Sequence, residues 1–223
     1  MMARRAGRIP VAATNRRPRW LRRLLVASTA VVLSPFVAAA AIYLYVEHGG
    51  NFHAVEPGVF YRSAELSGTE FRDVIRAHHV KTVLNLRGPN AGKDWYDDEI
   101  RAVRDEGVVH LDIPLSAQHE LTPVQVSTVL EMIRTAPKPI LVHCNAGSDR
   151  TGLVSAMYEL TRGKPADVAE RQLSLAYGHF PWLGSKTVAM DRSFATFVIA
   201  NEIKPPAASI DSTATSSSSS KGR

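Results

Sequence analysis

The residues best suited to chemistry lie between Pro139 and Gly152, in the run Pro-Ile-Leu-Val-His-Cys-Asn-Ala-Gly-Ser-Asp-Arg-Thr-Gly. Three apolar residues, Ile140 to Val142, lead into His143 and Cys144, the only cysteine of the chain. After five more residues, Arg150 and Thr151 open a helical pattern. A strand that hands over through small residues to a helix N-terminus gathers backbone N–H groups and the positive end of the helix dipole at one point. Anions bind at such a point, and a cysteine held there is favoured as a thiolate nucleophile. Arg150 at the end of the loop can grip two oxygens of a phosphate at once. The implied chemistry is attack by Cys144 on a phosphate held by the loop, that is by Asn145, Ala146, Gly147, Ser148, Asp149 and Arg150.

This run resembles the Cys-x5-Arg-Thr phosphate loop of the cysteine-dependent protein tyrosine and dual-specificity phosphatase superfamily. Its Asp149-Arg150-Thr151-Gly152 ending is similar to the Lys-Asp-Arg-Thr-Gly form of some bacterial tyrosine and phosphoinositide phosphatases, with Ser148 in place of the lysine. Gly58-Val59-Phe60-Tyr61-Arg62-Ser63-Ala64, Val83-Leu84-Asn85-Leu86-Arg87-Gly88 and Tyr177-Gly178-His179-Phe180-Pro181 look like a bacterial dual-specificity-like branch. The resemblance implies hydrolysis of phosphate monoesters through a phosphocysteine, with no cofactor and no metal. It also implies that Thr151 hydrogen-bonds the sulfur as it leaves and that His143 braces the loop.

The same resemblance calls for a general acid, usually an aspartate on a mobile loop upstream of the cysteine. Asp112 stands 32 residues before Cys144, which matches. It falls, however, within the apolar run Val108–Leu115, and the following Ser-Ala-Gln-His-Glu holds no aspartate. Asp112, Asp149, His119 and Glu120 are therefore all candidates. Asp149 has a second reading, as a carboxylate that orients Arg150 or caps the helix.

Composition narrows the alternatives. The net charge of +6 is concentrated in residues 1–23, which hold eight arginines and no acid. Without those eight, the 27 basic residues fall to 19 against 21 acidic ones. A nucleic-acid footprint needs a basic folded domain, so that function is set aside. One cysteine allows no intrachain disulfide and no cysteine-cluster metal site.

The elements that must position the loop can be read from periodicity and caps. Ser67-x-x-Glu70 and Thr122-Pro123-x-Gln125 have the spacing of helix N-termini. The first leads into Phe71, Val74 and Ile75, the second into Val126, Val129, Leu130 and Ile133. A third helix is expected from about Asp94, with Tyr96, Ile100 and Val103 on one face and Gly107 as its stop. Strands are expected over 59–63, 81–86, 108–115 and 140–142. Strands alternating with helices give an α/β fold, with a central mostly parallel sheet of four to five strands flanked by helices.

Leu24 to Val46 is 23 residues without a charge, long enough for a single transmembrane helix ahead of that domain. The arginines before it predict a cytoplasmic N-terminus and a periplasmic or otherwise extracytoplasmic domain. A signal peptide cleaved near Ala38-Ala39-Ala40, giving a secreted protein, is the alternative. The expected organisation is a basic arm over 1–23, a signal-anchor over 24–46, a linker over 47–54, the phosphatase domain over 55–204 and a disordered tail over 205–223. The expected partners are a phosphorylated protein or small phosphate ester, and a membrane through residues 24–46. Two further readings of the site are a non-catalytic phosphate- or phosphoprotein-binding module and a phosphoinositide or envelope-phosphate phosphatase.

Overall fold

A computed structural model describes residues 19–182 and 184–203. Residues 1–18 of the expected basic arm and the whole tail from 205 lie outside the described residues. The chain divides into two compact units, Met1–Leu44 and Tyr45–Arg223.

Helix α1, Arg19–His48, makes up the described part of the first unit and runs into the start of the second. Here one expectation is overturned: among the described residues no helix is long and apolar enough to cross a membrane. Freedom from charge over Leu24–Val46 is a weaker property than continuous apolarity. Ser28, Thr29, Ser34 and Pro35 interrupt the run, and Pro35 removes a helical hydrogen bond within it. The signal-anchor, the membrane as partner, and the periplasmic or secreted localisation built on that span are not supported.

Among its described residues the second unit holds five strands: β1 (His53–Glu56), β2 (Phe60–Ser63), β3 (Thr82–Asn85), β4 (Val109–Asp112) and β5 (Ile140–His143). Their order across the sheet is β1-β2-β5-β3-β4. Only β1 is antiparallel, paired with β2 as a hairpin at one edge. The other four strands run parallel, with β5 in the middle. A central parallel strand is covered on both faces, which is why Ile140, Leu141 and Val142 are all apolar rather than alternating.

The helices arise where their caps predict. α2 (Gly68–His78) starts at a complete Ser67/Glu70 capping box and α4 (Pro123–Thr135) at a complete Thr122/Gln125 box. α3 (Asp94–Asp105) ends just before Gly107, whose φ of +65° stops it. Phe71 and Ile75 of α2 and Ala102 and Val103 of α3 cover one face of the sheet. Val129 and Ile133 of α4, with Val154 and Tyr158 of α5 (Asp149–Thr161), cover the other. A third apolar cluster joins α5 to the short α6 (Ala166–Ala169) and to α7 (Val188–Ile203).

Two boundaries differ from expectation. β4 stops at Asp112 and does not run on to Leu115, since Pro114 cannot donate to a ladder. The stretch read as a linker contains the first two residues of β1 and the fully buried Asn51. Its Gly-Gly-Asn composition signals a turn, and the turn is there: Gly50 and Asn51 both have positive φ, and Gly50 O accepts from Ala64 N at 2.8 Å.

Candidate active site

The C-terminal ends of the parallel strands share one polar rung. Ser63 of β2, His143 of β5, Asn85 of β3 and Asp112 of β4 are in register, side by side. Cys144 follows this rung and is 2% exposed. The chain then turns through Asn145 to Ser148 into α5, so the cysteine sits where a strand end faces a helix N-terminus.

Gly147 makes the turn feasible. Its φ is +71°, and a Cβ there would lie 2.7 Å from the backbone of Ser63 and Ala64. Gly152 is needed for contact instead: a Cβ would lie 2.8 Å from Gln172 O, so α5 and the 172–173 backbone can pack only without one.

His143 is fully buried, and its Nε2 donates to Glu99 Oε1 at 2.9 Å. Its Nδ1 faces Cys144 O at 3.4 Å. The same Glu99 oxygen accepts from His110 Nε2 at 2.8 Å. Burial pushes the Glu99 carboxyl up, but the two imidazoles outweigh that and hold it at about 2. A carboxylate on α3 thus anchors the residue next to the cysteine.

Of the four candidate acids, Asp112 is the most tightly held. Tyr96 OH donates to its Oδ2 at 2.6 Å, Asn85 Nδ2 donates to its Oδ1 at 2.9 Å, and His110 Nδ1 lies 3.5 Å away. Asp149, the first residue of α5, accepts from His179 Nδ1 at 2.7 Å. The other nitrogen of His179 faces both oxygens of Asp191 at 3.2–3.3 Å. Burial alone would lower the pKa of His179, but the two carboxylates raise it above its ordinary value. His119 is exposed and paired with Ser116 Oγ, and the exposed Glu120 lies 3.8 Å from Arg192. Both line a cleft of about 700 Å³ with Trp182 and Lys186, which no residue of the Cys144–Arg150 loop lines.

Arg150 donates from Nη1 to Leu115 O at 3.3 Å, while its buried Nε has no hydrogen-bond partner among the described residues. Thr151 is fully buried and its hydroxyl is likewise without a partner among them. Arg87 pairs with Glu65 and stacks over Trp95 at 3.6 Å. Burial lowers its pKa, and the neighbouring Arg150 lowers it further.

Sequence reasoning passed over four residues at this site: Asn51, Arg62, Glu99 and His179. A signal for Glu99 existed, because it lies one turn after Tyr96 and one turn before Ala102 and Val103, on the apolar face of α3. His179 and Arg62 stood in the flanking stretches, but nothing local marks a histidine or arginine as buried.

The chain has relatives among known proteins. A family model described as "Tyrosine phosphatase family" matches residues 45–172. The dual specificity protein phosphatase TpbA of Pseudomonas aeruginosa is 30% identical over 158 residues, 63% of this chain. The chain spans 65% of that relative's length. The crystal structure of a cysteine-to-serine TpbA variant in complex with phosphotyrosine is similar with a TM-score of 0.53 at 20% identity, covering 70% of this chain and 93% of that one. The core catalytic domain of the PP-IP phosphatase SIW14 from S. cerevisiae gives 0.52 at 19% identity, covering 68% and 92%. At these identities the two structures speak for the fold, a five-stranded, mostly parallel sheet between helices. The family model spans more than half of the sequence and includes the whole Cys144–Arg150 loop: the chain belongs to the tyrosine phosphatase family.

Proposed function

We propose that this protein hydrolyses phosphate monoesters through a phosphocysteine, as a protein tyrosine or dual-specificity phosphatase. The observation that carries the reading is the setting of Cys144: a buried thiol at the end of the central strand, opposite the N-terminus of α5, in a loop closed by Arg150. Cys144 Sγ attacks phosphorus in line, and the loop amides with the Arg150 guanidinium take up the charge on the equatorial oxygens. Thr151 has a hydroxyl free to donate to the sulfur when water displaces it from phosphorus. His143, fixed by Glu99, holds the start of the loop rather than acting as a base.

We assign the leaving-group proton to Asp149, with Asp112 as the competing candidate. Asp149 lies in the loop itself, and its partner His179 carries a proton. Both oxygens of Asp112 are already occupied, one accepting from Tyr96 and the other from Asn85. Phosphotyrosine is the first substrate to test, since TpbA has been crystallised with it.

Hydrolysis of p-nitrophenyl phosphate by the full chain, beside Cys144→Ser, tests the mechanism. The wild type should turn over and the variant should not, while its circular dichroism melt stays unchanged. Turnover retained in the variant would overturn the phosphocysteine route.

A further inference from the structure

Three consecutive carbonyls of the loop are each capped from outside it. Asn145 O accepts from Glu65 N at 2.9 Å, Ala146 O from Asn51 Nδ2 at 2.9 Å, and Gly147 O from Arg62 Nη2 at 2.6 Å. In a trans peptide the N–H points opposite to the C=O. Turning these three carbonyls outward therefore turns the N–H groups of Ala146, Gly147 and Ser148 inward, toward the side a phosphate would occupy. Those three N–H groups make no hydrogen bond among the described residues.

The two side-chain caps are built for this task. Asn51 is fully buried, and the same Nδ2 also donates to Tyr177 O at 2.9 Å. Both neighbours are carbonyls, so the amide can face them only with its nitrogen. Asn51 has a φ of 45°, a conformation that asparagine tolerates better than most residues. Arg62 is also fully buried. Its Nη1 donates to Gln172 O at 2.9 Å and Gln172 Oε1 at 2.7 Å, and its guanidinium lies 3.9 Å from the Tyr177 ring centre. It forms no ion pair among the described residues, so its charge is spent on carbonyl, amide and ring contacts directly behind the loop.

We propose that Asn51 and Arg62 are positioning residues for phosphate: they clamp the outward carbonyls of Ala146 and Gly147, and so hold the loop amides in the anion-binding orientation. The inference rests on reading the loop as a phosphate cradle, and it assigns the task to a residue of the apparent linker and one of β2. Neither touches the substrate. Loss of the Asn51 donor frees the Ala146–Gly147 peptide to rotate, which turns a carbonyl oxygen toward the bound anion and replaces attraction by repulsion.

The test measures tungstate binding to the full chain by calorimetry, which requires no turnover. Asn51→Asp keeps size and backbone preference but removes the donor. Asn51→Gly keeps the positive φ at no cost and removes the side chain, which covers the case of an aspartate variant that does not fold. In whichever variant keeps the wild-type circular dichroism spectrum, tungstate affinity should fall about tenfold or more, the usual scale for a buried acceptor left unpaired. With an aryl phosphate, the loss should appear in KM as well as kcat. Tungstate affinity within twofold of the wild type in a folded variant would overturn the clamp. Wild-type chain that binds tungstate but hydrolyses no phosphate ester, with binding lost in the variant, keeps the clamp and removes the hydrolytic reading. Turnover with tungstate binding indifferent to Asn51 does the reverse.

Discussion

His179 donates to the Asp149 carboxylate across 2.7 Å, tying a fully buried imidazole to the first residue of α5, the helix that follows the Cys144 turn. Because Asp191 faces its second nitrogen, the ring is held as an imidazolium with a raised pKa. The sign of the linkage follows. The stabilisation is fully present below the ordinary histidine pKa of about 6.5 and disappears as pH rises through the higher folded value. His179→Gln should therefore cost about 1–2 kcal/mol near pH 6, the scale of hydrogen bonds to charged groups. The difference from wild type should shrink steadily toward pH 9 in paired urea titrations, and a constant difference across that range would contradict the pairing.

The identity of the acid can be separated from loop support by leaving-group dependence. A proton donor matters most when the departing oxygen is a poor leaving group. Asp149→Asn should slow an alkyl phosphate by about 100-fold or more, the usual scale of general acid catalysis, while slowing p-nitrophenyl phosphate much less. Asp112→Asn, which replaces an acceptor of the Tyr96 hydrogen bond, should slow both substrates alike. The reverse pattern would move the proton to Asp112.

Glu99 provides a prediction with the opposite pH sense. Its carboxyl is fully buried and held at about 2 by His143 and His110, below the ordinary glutamate value. A depressed carboxylate pKa contributes stability that is present above the unfolded value of about 4.5 and lost as pH falls toward 2. Glu99→Gln should destabilise the fold by about 3 kcal/mol at pH 7, as breaking a buried charged contact does. That penalty should diminish below pH 4 in thermal melts. The same variant loosens His143, so the alkylation rate of Cys144 by iodoacetamide at fixed pH should change in the protein that remains folded.

How far the sequence carried depended on whether a feature was local. The Ser67/Glu70 and Thr122/Gln125 caps, the apolar strand before His143 and the glycines of the loop are each determined within a few residues, and their elements form as read. Burial by distant partners left no such mark. Asn51 looked like linker because Gly-Gly-Asn signals a turn, yet its amide meets carbonyls 95 and 126 residues away. Of the apolar face read for α3, Tyr96 and Val103 are buried, but between them it is Glu99 rather than Ile100 that is buried, against histidines from β4 and β5. The N-terminal run is a different case: freedom from charge over Leu24–Val46 predicted a membrane span, and among the described residues no helix is long and apolar enough to make one.

Gly147 is where geometry and function can be separated most cleanly within the loop. Alanine there must adopt a φ of +71° and place its Cβ 2.7 Å from Ser63 C and O and from Ala64 N. The neighbour is backbone of β2 and the residue after it, so nothing can swing aside. The loop must lift instead, carrying the Gly147 carbonyl off Arg62. The left-handed conformation alone costs about 1 kcal/mol, and the displacement adds to it. Gly147→Ala should therefore lower the melting temperature by several degrees. Because the loop amides move with it, kcat/KM for an aryl phosphate should fall by about 100-fold or more, beyond what the stability change explains. Gly163→Ala is the control, since its φ of +81° imposes similar strain but a Cβ there meets nothing within 4 Å and lies at the far end of α5. It should share the modest loss of stability and keep the activity. Equal activity losses at the two glycines would show that strain, not the position of the loop, is what the substitution reports.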